Sequence, residues 1–205
     1  MIDLYAAPTS NGLRAKIMLD ECGLPYKLHP IDLTKGENRT PAFLKLNPMG
    51  AIPVIVDPEG PGGKPITMAQ SVGILTYLAE KSGKFMPKDA GSRPIFWQAL
   101  NAAATDLGPT LGDIFAIQRS AEKHQPSQAI FEGRFKAQLK VLDGNLGRQK
   151  YVAGDEATIA DFATYAVIYR AEQTVAPLLQ GFPNLERWRK DMAARPGTQK
   201  GLKFA

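Results

Sequence analysis

The chain has 205 residues, 44% apolar and 22% charged, with a net charge of +5. That is the composition of a folded protein of one large domain or two small ones, and it excludes an intrinsically disordered chain. No apolar run approaches the ~20 residues of a membrane span, the start Met1-Ile2-Asp3-Leu4-Tyr5 lacks a signal peptide's basic and apolar regions, and one cysteine with two histidines argues against a disulfide framework or a zinc site.

Ile2 to Tyr5 alternates apolar and polar residues as a short strand does, and Ala7-Pro8-Thr9-Ser10-Asn11-Gly12 is a cluster of turn formers. Leu13 to Glu21 reads as a helix, with Gly23 as its cap. A second strand is predicted from Tyr26 to about Leu33, parallel to the first because a helix carries the chain back between them. Thr40-Pro41 opens another helix, and Pro53-Val54-Ile55-Val56 is a short strand. The Pro/Gly-rich segment Asp57 to Lys64 is a hairpin loop returning through Ile66 to Met68, and from Gln70 the spacing of Val72, Leu75 and Ala79 turns helical.

Strand signals stop at Ser82-Gly83. Residues 84–89 are read as a linker between an α/β domain (1–83) and an all-helical domain (90–205). In the latter, Phe96, Leu100, Ala103, Leu107 and Leu111 form a stripe that runs through Gly108-Pro109, where the helix should bend or break. Phe131, Phe135, Leu139, Leu142 and Leu146 form a second stripe, Phe162, Tyr165, Ala166 and Tyr169 a third, and Pro183 to Ala194 a last short helix. Charge divides along the same boundary: residues 1–83 carry eight basic and eight acidic side chains, the rest 17 and 12. The basic residues are scattered and no nucleic-acid motif accompanies them, so two readings stand, solvated helix faces and a field that attracts a small anion.

Three segments are candidates for chemistry. Thr9, Ser10 and Asn11 join a strand to a helix start, where unpaired N–H groups favour a negative partner such as a thiolate. The same residue types are what any helix N-cap prefers. Ile52-Pro53 leads into a strand; a cis bond there would turn the Ile52 main chain outward, to pair with a peptide-like ligand as an added strand. Gln70-Ser71 again stands between a strand and a helix, and a cap is its alternative. Cys22 falls inside the first helix and reads as a packed thiol, and His29 and His124 have no partners in sequence.

The order of elements, the Asn47-Pro48-x-Gly50-x-Ile52-Pro53 segment, Gln70-Ser71 and Thr158-Ile159-Ala160-Asp161 together closely resemble the cytosolic glutathione transferases. Ala7 to Gly12 looks most like the bacterial and fungal branch that includes the nu-class enzymes and the Ure2p-like proteins. The resemblance implies a thioredoxin-like first domain, an all-helical second domain and glutathione as co-substrate, with no metal. It implies that Gln70 and Ser71 hold the γ-glutamyl end, Ile52 the cysteinyl unit ahead of a cis Pro53, and Asn38 lies near the glycine end. Thr9 and Asn11, with Ser10, would lie beside the sulfur in place of the tyrosine, serine or cysteine of other branches, Tyr5 being too far back in its strand. The second substrate would lie between the domains, against the helix of Leu111, Ile114, Phe115 and Gln118. Thr158 and Asp161 fit a capping box with a folding role.

Two departures stand out: Ala51 where the family often has lysine, and Gln70 where glutamate is commoner. The leading expectation is a transferase that activates the glutathione thiolate against an electrophilic small molecule. A glutathione-dependent disulfide reductase is the alternative among enzymes, and a non-enzymatic regulatory or binding protein the alternative outside them. A homodimer is expected, with Arg134 reaching the partner's glutathione carboxylate, in the cytoplasm, with neither nucleic acid nor membrane as partner.

Overall fold

The computed structural model describes residues 1–204, which divide into two compact units: residues 1–86 with 194–204, and residues 87–193. In the first, β1 (Ile2–Ala6), α1 (Ser10–Cys22) and β2 (Tyr26–Pro30) form a strand–helix–strand unit, and the two strands are parallel. A short α2 (Pro41–Leu46) follows, then β3 (Val54–Asp57), β4 (Ile66–Ala69) and α3 (Ser71–Ser82). The sheet order is β2-β1-β3-β4, with β3 antiparallel to both of its neighbours. The second strand ends at Pro30 and not near Leu33.

Leu4 and Ala6 of β1, Val54 and Ile55 of β3, Leu13 and Ile17 of α1, and Ile74, Leu75 and Leu78 of α3 are fully buried and make one core. Each large side chain so buried contributes roughly 1.5–3 kcal/mol. Helix α1 closes on Gly23 in the left-handed conformation, as expected. At its other end Gly12 lies against β1: a Cβ there would stand 2.0 Å from the carbonyl oxygen of Ala7.

The helical unit holds α4 (Arg93–Asn101), α5 (Gly108–Arg119), α6 (Gln125–Leu146), α7 (Ile159–Val175) and α8 (Pro183–Ala193). The predicted bend before Pro109 takes the form of a π-helical segment, Ala102–Leu107, joining α4 to α5. Proline lacks an N–H and its ring crowds the carbonyl one turn back, and a widened turn relieves both. Helix α7 is central: residues 159–168 are all buried. Its capping box forms as expected, and the fully buried Asp161 carboxylate also accepts from the Val152 main-chain N–H and the Trp188 indole, each at 2.9 Å. His124 does have a partner, since its Nδ1 caps α6 by accepting from the Ser127 N–H at 3.3 Å.

One boundary differs from the sequence reading. Residues 194–204 belong with the first unit, because α9 (Pro196–Gly201) packs on α1. Lys16 Nζ donates to the Lys200 carbonyl at 3.0 Å, and Lys200 Nζ stands 3.0 Å from the buried Asp20 carboxylate. Among the described residues no helix is long and apolar enough to cross a membrane.

Candidate active site

The strand register brings the predicted ligand-binding segments of the first unit to one end of the sheet. Tyr5 pairs with Val54 and Val54 with Ala69, so the end of β1, the start of β3 and the end of β4 lie side by side. The residues just beyond, Ala7 to Asn11, Pro53 and Gln70-Ser71, therefore share one edge. The Ile52–Pro53 bond is cis, and the main chain of Ile52 makes no hydrogen bond to other described residues.

Thr9 is the N-cap of α1. Its Oγ1 accepts from the Gly12 N–H at 3.2 Å. That bond uses an oxygen lone pair and leaves the hydroxyl proton free to donate, so capping and anion binding are compatible at this residue. Ser10 is half-buried and Asn11 exposed. Asn11 is not a cap: its Oδ1 faces into the protein, 2.8 Å from Nη1 of Arg14 and 3.3 Å from Oγ of Ser71. Arg14 Nη1 also donates to Ser71 Oγ at 3.2 Å. Ser71 opens α3, so the first turns of α1 and α3 are tied through one guanidinium. Arg14 is only 3% exposed, and burial pulls its pKa down to about 10, which leaves it a cation at neutral pH.

Gln70 does not cap α3 with its side chain. Its main chain instead adopts φ 71° and ψ 106°, a region that non-glycine residues rarely occupy, and backbone strain of this kind clusters at ligand-binding positions. Asn38 donates to the Gly50 carbonyl at 2.7 Å, and Asn47 to that of Ala51 at 2.7 Å, so both amides brace the loop that leads to Ile52-Pro53. Cys22 is buried and accepts from the Ser82 hydroxyl at 3.2 Å. Burial pushes its thiol pKa up, outweighing that hydrogen bond, which disfavours the thiolate. Tyr5 stacks on His29 with ring centroids 4.5 Å apart, and His29 is not partnerless, because Asp3 Oδ1 lies 2.6 Å from its Nε2.

In the helical unit the expected second-substrate residues divide. Leu111 and Ile114 are fully buried and belong to the core, continuing the period of Leu107, so neither lines an open pocket. Phe115 and Gln118 are partly exposed. A cavity of about 520 Å³ in this unit is lined instead by Ile95, Ala99, Ala102, Val141 and Leu142, among others, and by none of these four. Arg134 is exposed on α6, its guanidinium 5.4 Å from the Phe131 ring centre. Among the described residues no cluster of His, Cys, Asp and Glu could hold a metal ion.

Sequence reasoning missed Arg14. An arginine inside an amphipathic helix reads as solvated, and the sole signal was its place one turn after a polar turn cluster.

Comparison with known proteins gives a consistent picture. Residues 10–81 match the family model of the glutathione S-transferase N-terminal domain, and residues 90–196 that of the C-terminal domain. The chain is 34% identical to the disulfide-bond oxidoreductase YfcG of Escherichia coli, over 98% of this chain and 94% of that protein. A glutathione transferase family member from Pseudomonas fluorescens, solved with two glutathione molecules bound, superposes with a TM-score of 0.90 at 34% identity, over 98% of this chain and 92% of that one. The glutathione transferase URE2P6 of Phanerochaete chrysosporium, solved with oxidized glutathione, superposes with a TM-score of 0.87 at 29% identity, over 98% and 94%.

Proposed function

The chain belongs to the glutathione S-transferase family, and from that premise we propose that it is a glutathione transferase whose first unit binds glutathione and activates its thiol. The observation that carries the reading is the joining of two helix N-termini by the Ser71–Asn11 hydrogen bond, beside the Thr9 cap and at the edge where the main chain of Ile52 makes no hydrogen bond to other described residues. A free thiol near pKa 8.5 is mostly protonated at neutral pH, and the thiolate is the nucleophile. The N-terminal end of α1, the Thr9 hydroxyl and the Asn11 amide supply donors that favour the ionised sulfur. Ser10 borders the same turn. Ser71, through its N–H and hydroxyl, and Gln70 take the γ-glutamyl end, Ile52 pairs with the cysteinyl unit ahead of Pro53, and Asn38 shapes the loop near the glycine end.

The thiolate then attacks an electrophilic carbon, and the leaving group departs with its electron pair. Phe115 and Gln118 border the second substrate in this reading, without Leu111 and Ile114. A second reading is favoured by the name of the Escherichia coli relative and by the oxidized glutathione in the fungal structure. Here the thiolate attacks one sulfur of a disulfide, forms a mixed disulfide and releases the other sulfur as a thiolate.

Initial rates with glutathione and a panel of electrophiles and disulfides test both. No rate above background with any of them overturns the enzyme reading. Retention on immobilised glutathione then separates a non-enzymatic binding protein from a chain that does not bind at all.

The working unit in this reading is a homodimer in the cytoplasm, with neither nucleic acid nor membrane as partner. Ile95 and Val141, 51% and 65% exposed beside the 520 Å³ cavity, support an apolar contact with a second copy, and Cys22 as a free thiol supports a reducing compartment. Arg134 is available on the surface to reach the second copy's glutathione. Sedimentation at micromolar concentration tests this, and a monomeric mass overturns both the dimer and the role of Arg134.

A further inference from the structure

We propose that Arg14 is the positioning residue of the thiol site, setting the direction in which Asn11 and Ser71 present their donors. The inference rests on the glutathione reading above and extends it to a residue that reading does not use.

A guanidinium can only donate hydrogen bonds. The Asn11 atom 2.8 Å from Arg14 Nη1 is therefore the amide oxygen, and the two ends of the amide are not interchangeable. That oxygen has two lone pairs, and two donors reach it, Arg14 Nη1 and the Ser71 hydroxyl at 3.3 Å. Both donors lie inside the protein, and Arg14 keeps the oxygen turned inward even when the Ser71 proton goes to another acceptor. What Asn11 turns outward is the NH₂ group, which can donate and cannot accept. A thiolate needs donors, and an amide carbonyl turned toward it would repel it.

Ser71 is governed by the same guanidinium. Its oxygen accepts from Arg14 at 3.2 Å, so its one proton is left for an acceptor, either Asn11 Oδ1 or an incoming carboxylate. A ligand carboxylate at the start of α3 would thus take the Ser71 proton while Arg14 still holds the Asn11 oxygen. One side chain sets donors for both the carboxylate end and the sulfur end of a single ligand. The site is buried enough to keep it in place: Arg14 is 3% and Ser71 7% exposed. The positive charge also stands behind the donors, where it favours a bound anion over its protonated form.

The test compares wild type with Arg14→Met and Arg14→Lys in the full chain, using reduced glutathione and a chloronitrobenzene. Methionine fills similar volume without donors; lysine keeps the charge without the planar fork. With Arg14→Met, kcat/KM is expected to fall ~10–100-fold. The thiol inflection of its pH profile should move to higher pH, and the KM for glutathione should rise. Arg14→Lys should restore part of the inflection shift and less of the KM. In the double variant with Asn11→Ala, the two rate losses should not multiply, because Arg14 acts through Asn11.

A folded Arg14→Met protein with wild-type inflection and glutathione KM overturns the proposal, and so does a lower rate with an unmoved inflection. If Arg14→Met does not fold, Arg14→Lys decides by the same inflection. A wild-type chain with no glutathione-dependent rate overturns the underlying reading instead, so the two failures are distinct.

Discussion

Glu21 and Arg195 stand 174 residues apart in the chain and form a paired hydrogen bond, Nη2 to Oε2 at 2.6 Å and Nε to Oε1 at 3.1 Å. The same carboxylate accepts from the Thr198 main-chain N–H at 2.9 Å and its hydroxyl at 3.0 Å. The Glu21 side chain is 5% exposed, so its removal strands donors that water does not readily reach. Glu21→Ala is expected to cost about 3 kcal/mol. Urea unfolding of the full chain measures this, and a loss below about 1 kcal/mol would mean that the contact is no more than a surface ion pair.

At the turn, stability and turnover should separate by residue. Thr9→Ala loses the cap of α1, at about 0.5–2 kcal/mol, while Thr9→Ser keeps both the cap and the donor. Asn11 caps nothing, so Asn11→Ala loses only its hydrogen bonds to Arg14 and Ser71, about 1.5–3 kcal/mol if the charged bond dominates. Its larger effect should be on rate, ~10–100-fold lower, with the pH profile displaced upward because the thiolate has lost a donor. Ser10→Ala should be milder. A folded Asn11→Ala protein with unchanged rate and profile would take Asn11 off the catalytic residues.

Gly12 admits no side chain without movement, since a Cβ would stand 2.0 Å from a main-chain oxygen that cannot swing aside. Gly12→Ala is expected to displace the start of α1 from the end of β1, costing roughly 1–3 kcal/mol as an overpacked site does. Because Thr9 and Asn11 ride on that turn, glutathione turnover by the folded fraction should fall as well. Full activity in a folded variant would show that the donors tolerate displacement.

Asp57 supplies a pH test. Burial pushes its carboxyl up, yet hydrogen bonds from Lys81, Tyr77 and the Glu59 N–H outweigh this and hold it below its ordinary 3.8. A carboxyl with a lowered folded-state pKa contributes stability that is fully present above its unfolded pKa and lost as pH falls through the folded one. Asp57→Asn should therefore be less stable than wild type at neutral pH, with the deficit shrinking as pH drops below 3.8. Denaturant midpoints for both proteins across that range check it, and a deficit independent of pH would assign the loss to shape alone.

Much of this was legible in the chain. Alternation and turn chemistry gave the four strands and their parallel first pair, and Thr158 with Asp161 announced the start of α7. The bend at Gly108-Pro109 was legible, but its π-helical form was not, because a proline says that a helix must adjust and not how. Leu111 and Ile114 lie on the period of Leu100 and Leu107; periodicity marks them as core, and the family resemblance drew them to a pocket. Arg14 was out of reach for another reason: its burial depends on Ser71, 57 residues away, and local spacing carries no trace of such a contact. Helix α9 has six residues, too few for a periodic signal, and its place is set by Glu21, Lys16 and Asp20 on α1.

That placement has a consequence for how the protein is made. The helical unit is one uninterrupted stretch, residues 87–193, and has all of its core once Ala193 has left the ribosome. The first unit, although translated earlier, waits longer. Gly197 and Gly201 would put a Cβ 2.7 and 2.5 Å from the Cα atoms of Glu21 and Ile17, so α9 closes directly on the backbone of α1. Until those residues emerge, that side of α1 has no cover and the buried Asp20 carboxylate lacks Lys200. The part translated first is thus completed last, and a chain truncated before Arg195 would hold every residue of the helical unit but only part of the first one.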